Sequence, residues 1–241
     1  MKIEICIDNI ESALIAQKAG ADRLELCSSL SVGGLTPSYS LIKSAVNLCH
    51  IPCYVMIRPR AGDFLFNAHE IEMMEQDIYV AKELGAQGVV IGVLTPYAEI
   101  DVVNCQRLVK AADGIGITFH RAFDLCADPY KGLEQLIELG CERLLSSGQQ
   151  SNAVEGKTLL AQLVKQAEGR IKIMAGAGVN PDNAKELAEV TKVDELHLSA
   201  KTYRSSQMIS KNNAVMGSRA EDDSHIWVCD AEQIKKMKQL F

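Results

Sequence analysis

The fold of this chain is decided by the stretch LGAQGVVI at residues 84–91, where a helical segment stops at a glycine and a short turn leads into an apolar strand. The same order recurs as AGADRLEL at residues 19–26 and as LGCERLL at residues 139–145. Glycine is common just after a helix because it adopts the left-handed conformation without a steric penalty. Repetition of this one solution predicts a chain built from successive strand–helix units.

Apolar segments of this kind occur eight times, and helical periodicity fills the stretches between them. They lie near Ile3–Cys6, Arg23–Cys27, Tyr54–Arg58, Val89–Val93, Ile117–Arg121, Arg143–Ser147, Ile171–Ala175 and Glu195–Ser199. Their starts are roughly 20–36 residues apart, the size of one strand–helix unit. We therefore predict an α/β fold, a single-domain (β/α)8 TIM barrel over residues 1–241, with its working groups at the C-terminal ends of the strands.

Composition excludes several function classes. The chain has 241 residues, 47% of them hydrophobic, and a formal net charge of −6 without a clustered basic stripe, so nucleic acid is not an expected partner. No apolar run reaches the roughly 18 residues of a membrane span. The N-terminus leads directly into a strand rather than a signal peptide, so a cytoplasmic protein is expected. An organic cofactor is not predicted. The 8 cysteines are expected to be free thiols, and the absence of a CxxC pair argues against structural zinc.

Strand alternation predicts which side chains point into the barrel. Glu4 and Cys6 of the first strand, and Glu25 and Cys27 of the second, would face inward, with the carboxylates at one level and the thiols one layer nearer the mouth. Further inward candidates are Arg58, Thr118, His120, His197 and Ser199. Buried charges need partners. Two interpretations follow: an ion network that satisfies itself, or a site that binds a ligand.

The Cys6 and Cys27 pair suggests a metal. Adjacent parallel strands lie about 4.8 Å apart, so two thiols at one level could reach one soft ion. Cu(I) favours thiolate ligands, which makes a two-thiolate copper site chemically sensible. The alternative is packing, because cysteine is a small residue that is commonly buried.

The stretch TFHRAFD at residues 118–124 is the most polar strand end. His120 is a candidate general acid–base group, together with Glu25. Arg121 or Arg58 could hold an oxyanion in a bidentate manner, with Asp124 orienting its partner. The alternative is that His120 and Asp124 hold the loop through ordinary hydrogen bonds.

The loops at the strand ends add candidates for anion binding. Gly176 and Gly178 follow the seventh strand, where barrels often bind phosphate through backbone N–H groups, although a tight turn also explains them. Residues 28–37 and 59–67, the second with Arg60 as a further anion ligand, form long loops over the mouth. Residues 203–224 are predicted to be a variable loop rather than a lid.

Several phrases together resemble the CutC family, which is named for copper homeostasis. They are EIC at residues 4–6, DRLELC at 22–27, GGLTPS at 33–38, IRPRAGDF at 57–64, TFHRAFD at 118–124, SSG at 146–148 and IMAGAGV at 173–179. The resemblance implies a cytoplasmic, homo-oligomeric barrel linked to copper tolerance. It also implies that the Cu(I)-binding cysteines of the family fall on Cys6 and Cys27.

Two functions are therefore expected to compete. One is a copper homeostasis protein that holds Cu(I) on the thiolates of Cys6 and Cys27. The other is an enzyme for a small anionic or phosphorylated molecule. Its acid–base groups would be Glu25 and His120, and Arg58, Arg121 and the loop from Gly176 to Gly178 would bind the anion.

Overall fold

Eight parallel strands close into a barrel in the computed structural model, which describes residues 1–209 and 224–241. The strands are β1 (Lys2–Ile7), β2 (Arg23–Leu26), β3 (Cys53–Met56), β4 (Gly88–Ile91), β5 (Gly116–Phe119), β6 (Arg143–Ser146), β7 (Lys172–Ala175) and β8 (Glu195–Leu198). Each pairs with the next, and β8 returns to β1. The predicted (β/α)8 barrel is confirmed, and each of the eight expected segments overlaps one of these strands.

A helix follows each of the eight barrel strands, within the ranges given above. The helices are α1 (Ile10–Ala19), α2 (Tyr39–Leu48), α3 (Ala68–Glu83), α4 (Val102–Ala111), α5 (Pro129–Glu138), α6 (Lys157–Ala167), α7 (Ala184–Thr191) and α8 (Ala231–Gln239). Helix α1 shows how such a helix begins and ends: the Asn9 side chain accepts a hydrogen bond from the backbone N–H of Ser12, and Gly20 ends the helix with φ 99°. The outward-facing strand residues, such as Ile5 and Leu24, are buried beneath these helices and form the main core.

The register between β1 and β2 differs from the expected one. Glu4 lies opposite Arg23, and Cys6 lies opposite Glu25. The expectation that Glu4 is level with Glu25, and Cys6 with Cys27, is therefore wrong by two residues. The physical reason is the stagger that a sheet needs in order to close into a tilted barrel, which shifts neighbouring strands without changing which face each residue points to.

An antiparallel hairpin follows the barrel strands. It consists of β9 (Lys201–Ser205) and β10 (His225–Cys229), and β10 packs against α1. The first three residues of the loop predicted at residues 203–224 are thus strand, which corrects that prediction. A strand with little buried surface lacks the alternation that would reveal it, and four of the five residues of β9 are exposed. Residues 210–223 of the predicted loop lie outside the described residues.

A membrane helix is not found in the described ranges: none of their helices is both long and apolar enough to cross a bilayer.

Candidate functional site

The floor of the barrel interior is a buried ion network. Arg23 contacts the carboxylates of both Glu4 and Glu195. Arg143 donates from Nε to Glu195 at 2.7 Å and from a terminal nitrogen to Thr118 Oγ1 at 3.1 Å. All of these side chains are buried. Removal of so many charges from water is tolerated only because each meets an opposite charge or a hydrogen-bond partner. The self-satisfied network that the sequence left open therefore exists, at the floor.

Arg23, Arg143 and Glu195 were not predicted as site residues, because functional groups of such barrels are expected at the C-terminal ends of the strands. A signal was present: five of the eight barrel strands begin with a charged residue, and β2, β6 and β8 are among them. A charge at the first position of a buried strand either reaches solvent or points into the barrel. Two cations and one anion placed in this way predict a shared network.

His197 connects the floor to the mouth. Its Nδ1 lies 2.9 Å from Glu4 Oε1. Burial favours the neutral form of Glu4, but Arg23 and His197 outweigh it and hold the pKa of this carboxyl at about 2. Burial likewise disfavours a charged His197, yet Cys6, Glu25 and Glu4 raise the pKa of this imidazole well above its usual range.

Cys6, Glu25 and His197 form a cluster at the base of the mouth. One ligand atom of each lies within 4.8 Å of the other two. Glu25 Oε2 is 3.7 Å from His197 Nε2. Burial, opposed by His197 and assisted by Glu4, raises the pKa of Glu25 to about 7. A histidine whose Nδ1 faces a carboxylate, while Nε2 faces other ligand atoms, has the arrangement usual at metal centres. This cluster is the candidate cation site.

Cys27 borders this cluster one layer further up. Its Sγ is 3.6 Å from Glu25 Oε2, and the side chain is fully buried. A Cβ on Gly34 would lie 3.1 Å from the same sulfur, so the glycine keeps the loop close above it. Burial first, and then the charge of Glu25, raise the pKa of the Cys27 thiol well above its usual range. The two predicted thiols are thus near one another but differ in level.

Above the cluster lies a cavity of about 560 Å³, a volume typical of small-molecule sites. Cys6, Glu25 and His197 line its base. The loops at residues 28–37 and 59–67 border it, as predicted, through residues such as Gly33 and Phe64.

Arg58 ties these two loops together. One terminal nitrogen donates to the carbonyls of Val32 at 2.9 Å and Gly34 at 3.1 Å, and the other donates to the carbonyl of Gly62 at 2.7 Å. Its guanidinium also lies 4.7 Å from the centre of the Phe64 ring. Burial, followed by the nearby charge of Arg60, lowers the pKa of Arg58. Arg58 lines the cavity, where the sequence predicted an anion ligand.

His120 faces the same cavity and is neutral. Its Nδ1 accepts the backbone N–H of Ala122 at 3.1 Å, so the ring proton is on Nε2. Burial and the charge of Arg58 lower its pKa to about 3. A base of that pKa is poorly matched to proton transfer near neutrality, whereas the neutral ring is a hydrogen-bond donor. The ring fits here because position 92 is glycine, whose added Cβ would approach it to 2.3 Å.

Asp124 holds the loop after β6. It accepts hydrogen bonds from the Ser146 hydroxyl at 2.6 Å and from the Ser147 backbone N–H at 3.0 Å. Arg121 donates to Asp124 at 2.8 Å and lines the cavity beside it. These contacts are those of the loop-holding alternative for Asp124, and they leave Arg121 at the rim with part of its surface exposed.

The remaining predicted anion ligands divide into two groups. Gly178 lines the cavity together with Ala177. The Gly176 N–H instead donates to the Ser146 carbonyl at 3.0 Å, and a Cβ there would meet Leu145 at 2.6 Å, so this glycine serves close packing. Arg60 pairs with Glu70 and lies outside the cavity lining.

Comparison with known proteins places this geometry in one family. The model described as the CutC family matches residues 1–202. A CutC protein of Histophilus somni is 68% identical over 241 residues, covering 100% of this chain and 99% of that protein. A CutC protein of Pasteurella multocida is 64% identical over 238 residues, covering 99% and 98%. A solved structure of CutC from Streptococcus agalactiae, named for copper homeostasis, is 37% identical with a TM-score of 0.79, covering 83% of this chain and 98% of that one.

Proposed function

This chain belongs to the CutC family, a family named for copper homeostasis, and on that basis we propose that it binds Cu(I) at the base of its barrel mouth. The single observation that carries the proposal is the cluster of Cys6, Glu25 and His197, whose ligand atoms lie within 4.8 Å of one another. Cu(I) selects soft thiolates and accepts imidazole, and the cluster offers one of each.

The ligands differ in how well they are placed. Cys6 and His197 belong to the cluster itself. Glu4 holds the Nδ1 side of the imidazole so that Nε2, which releases its proton when the ion binds, is directed to the ion. Cys27 is the second soft donor, but the Glu25 carboxylate lies 3.6 Å from its sulfur and 3.7 Å from His197 Nε2. We expect Cys27 to complete the site only when this carboxylate moves aside.

Anaerobic competition with a chromogenic Cu(I) chelator tests the proposal. Cys6→Ser is expected to lower the Cu(I) affinity by at least about tenfold, because a hydroxyl is a poor ligand for a soft ion. Cys27→Ser is expected to have a smaller effect than Cys6→Ser. Cys49→Ser is the matched control, since this buried thiol lies at the end of α2, away from the barrel interior.

Three results of the competition experiment would contradict copper binding at this cluster. Weak Cu(I) binding by the wild type would remove copper as a direct ligand. Equal binding by wild type and Cys6→Ser would show that copper does not bind at this cluster. A loss in the Cys49→Ser control as large as the loss in Cys6→Ser would show that copper binds to thiols in general rather than to this cluster.

A second candidate function is an enzyme for a small anionic or phosphorylated molecule. It is favoured by one observation: Arg58 and His120 line the cavity with donor atoms that have no partner among the described residues. Turnover of a phosphorylated metabolite that is lost in Arg58→Gln would support it. A screen of such metabolites without turnover would count against it.

A cytoplasmic location, a single domain over residues 1–241 and homo-oligomeric assembly stay predictions.

A further inference from the structure

Three buried side-chain atoms in the part of the chain that the structure describes lack a hydrogen-bond partner: Glu25 Oε1, Arg58 Nε and His120 Nε2. Each of these residues is at most 5% exposed. A buried polar atom without a hydrogen-bond partner destabilises the folded state, so such atoms are rare in proteins. All three residues line the one cavity at the barrel mouth. The missing hydrogen-bond partners of all three atoms therefore belong in this cavity.

The chemistry of these atoms specifies what is missing. Arg58 Nε carries a proton and is a donor. His120 Nε2 is also a donor, since Nδ1 already accepts the Ala122 N–H. Glu25 Oε1 is an acceptor, and the other oxygen of this carboxylate is the one near Cys27. With Glu25 in its carboxylate form, the absent partner accepts two hydrogen bonds and donates one.

The charge of the cavity lining favours an anion. Arg121 is paired with Asp124, and His197 lies against Glu4 and Glu25. No carboxylate of residues 1–209 or 224–241 pairs with Arg58, whose terminal nitrogens contact carbonyl oxygens. Lys201 is likewise unpaired within those ranges, and its Nζ lies 4.0 Å from the centre of the Trp227 ring. Two cations without counter-ions attract an oxyanion.

The loop after β7 adds neutral donors. Ala177, Gly178 and Val179 line the cavity, and the first two have left-handed backbones with φ 74° and 72°. Their backbone N–H groups donate no hydrogen bond to the residues that the structure describes, although the Ala177 and Gly178 carbonyls accept bonds from the chain. Unpaired N–H groups in such loops bind anions.

We propose that the cavity binds a small molecule that carries both an oxyanion, carboxylate or phosphate, and a hydroxyl group. The oxyanion accepts from Arg58 Nε and His120 Nε2, and the hydroxyl donates to Glu25 Oε1. Lys201 and the loop after β7 line the same cavity and add positive charge and free amides to it. The inference rests on the second candidate function, because it uses the same cavity and names the class of ligand. It requires neither a reaction nor copper.

Isothermal titration calorimetry on the copper-free protein tests the inference. The probes are glycerate and glycerol 3-phosphate, with glycerol and inorganic phosphate as the two halves of the second. Saturable binding of at least one whole probe, tighter than either half, is expected. The better of the two probes identifies the oxyanion as carboxylate or phosphate. No saturable binding of either whole probe at millimolar concentration would overturn the inference.

Variants locate the site. Arg58→Gln is expected to weaken binding by about tenfold or more, the worth of a hydrogen bond to a charged group. Arg60→Gln is the matched control, because it removes a neighbouring arginine of the same loop that pairs with Glu70 outside the cavity. Glu25→Gln should reduce the preference for glycerol 3-phosphate over inorganic phosphate. Equal affinities of Arg58→Gln and Arg60→Gln would overturn the assignment.

Arg58 also ties two loops, so a variant that keeps the fold is needed. Lys201→Gln changes an exposed side chain and is expected to weaken binding severalfold. Unchanged affinity in a folded Arg58→Gln would overturn the inference, as would unchanged affinity in Lys201→Gln if Arg58→Gln unfolds. Calorimetry measures binding and does not depend on turnover. Binding of a probe without turnover would therefore exclude the proposed enzyme function and leave this inference intact.

Discussion

Glu195 shows, at the scale of single residues, how the barrel floor accommodates charge. Its carboxylate lies between two arginines, Arg23 and Arg143, and all three side chains are at most 5% exposed. A carboxylate shared by two buried cations has a large Coulombic role that a surface pair lacks. The floor therefore depends on complete pairing rather than on any one salt bridge.

Glu195→Gln tests this dependence. The substitution keeps the shape but leaves two buried guanidinium groups without their shared anion, and we expect the free energy of unfolding to fall by about 3 kcal/mol. Urea denaturation monitored by circular dichroism measures the change. Glu232→Gln is the control, because its carboxylate pairs with Lys235 at the surface and its loss should change stability by about 0.5 kcal/mol or less. Equal small effects would contradict the network.

His120 makes a prediction about acid stability. Its folded pKa of about 3 lies below the value of 6.5 for a free histidine, so the unfolded chain takes up the proton first as pH falls. Stability from this residue is therefore complete above pH 6.5 and is lost on acidification toward pH 3. At about pH 5 the loss should be about 2 kcal/mol relative to about pH 8.

The matched measurement compares wild type with His120→Gln by urea denaturation at both pH values. The difference in unfolding free energy between the two proteins should shrink as the pH falls, since glutamine has no proton to take up. A difference that is the same at both pH values would show that His120 titrates alike in the folded and unfolded chains.

At the scale of secondary-structure elements, the sequence was sufficient for the eight barrel strands and their helices, but not for the hairpin strand β9 or for the strand register. The alternation in β1 and β2 correctly placed Glu4, Cys6 and Glu25 inside the barrel, because facing depends only on the period of two. Level depends on the stagger between strands, which closure of the whole barrel sets. This is why Cys6 lies opposite Glu25 rather than Cys27, a relation that no local pattern contains.

The glycine that follows each of several helices gives a prediction at this scale. Gly140 has φ 78°, and an added Cβ would meet nothing within 4 Å. Gly140→Ala should therefore cost about 1–2 kcal/mol from backbone strain alone, and Gly140→Asn should cost less, because asparagine tolerates the left-handed region. Thermal or urea unfolding of both variants measures this. An alanine variant as stable as the wild type would show that the turn is not restrained.

At the scale of the whole molecule, the barrel separates two polar regions along its axis. The floor network around Arg23 and Arg143 satisfies itself. The cavity above it keeps atoms of Glu25, Arg58 and His120 that have no partner within residues 1–209 and 224–241. The sequence predicted most of the residues at the mouth because the fold fixes where strand ends meet. It could not predict which of them satisfy one another, since that depends on side-chain geometry across the barrel.

The most direct test of copper binding is X-ray absorption at the copper K-edge on the protein loaded anaerobically with one equivalent of Cu(I). Binding at Cys6 and His197 predicts a first shell that contains sulfur together with a nitrogen ligand, with the imidazole signal lost in His197→Gln. A shell made only of nitrogen and oxygen, or an imidazole signal that persists in His197→Gln, would contradict binding at Cys6 and His197.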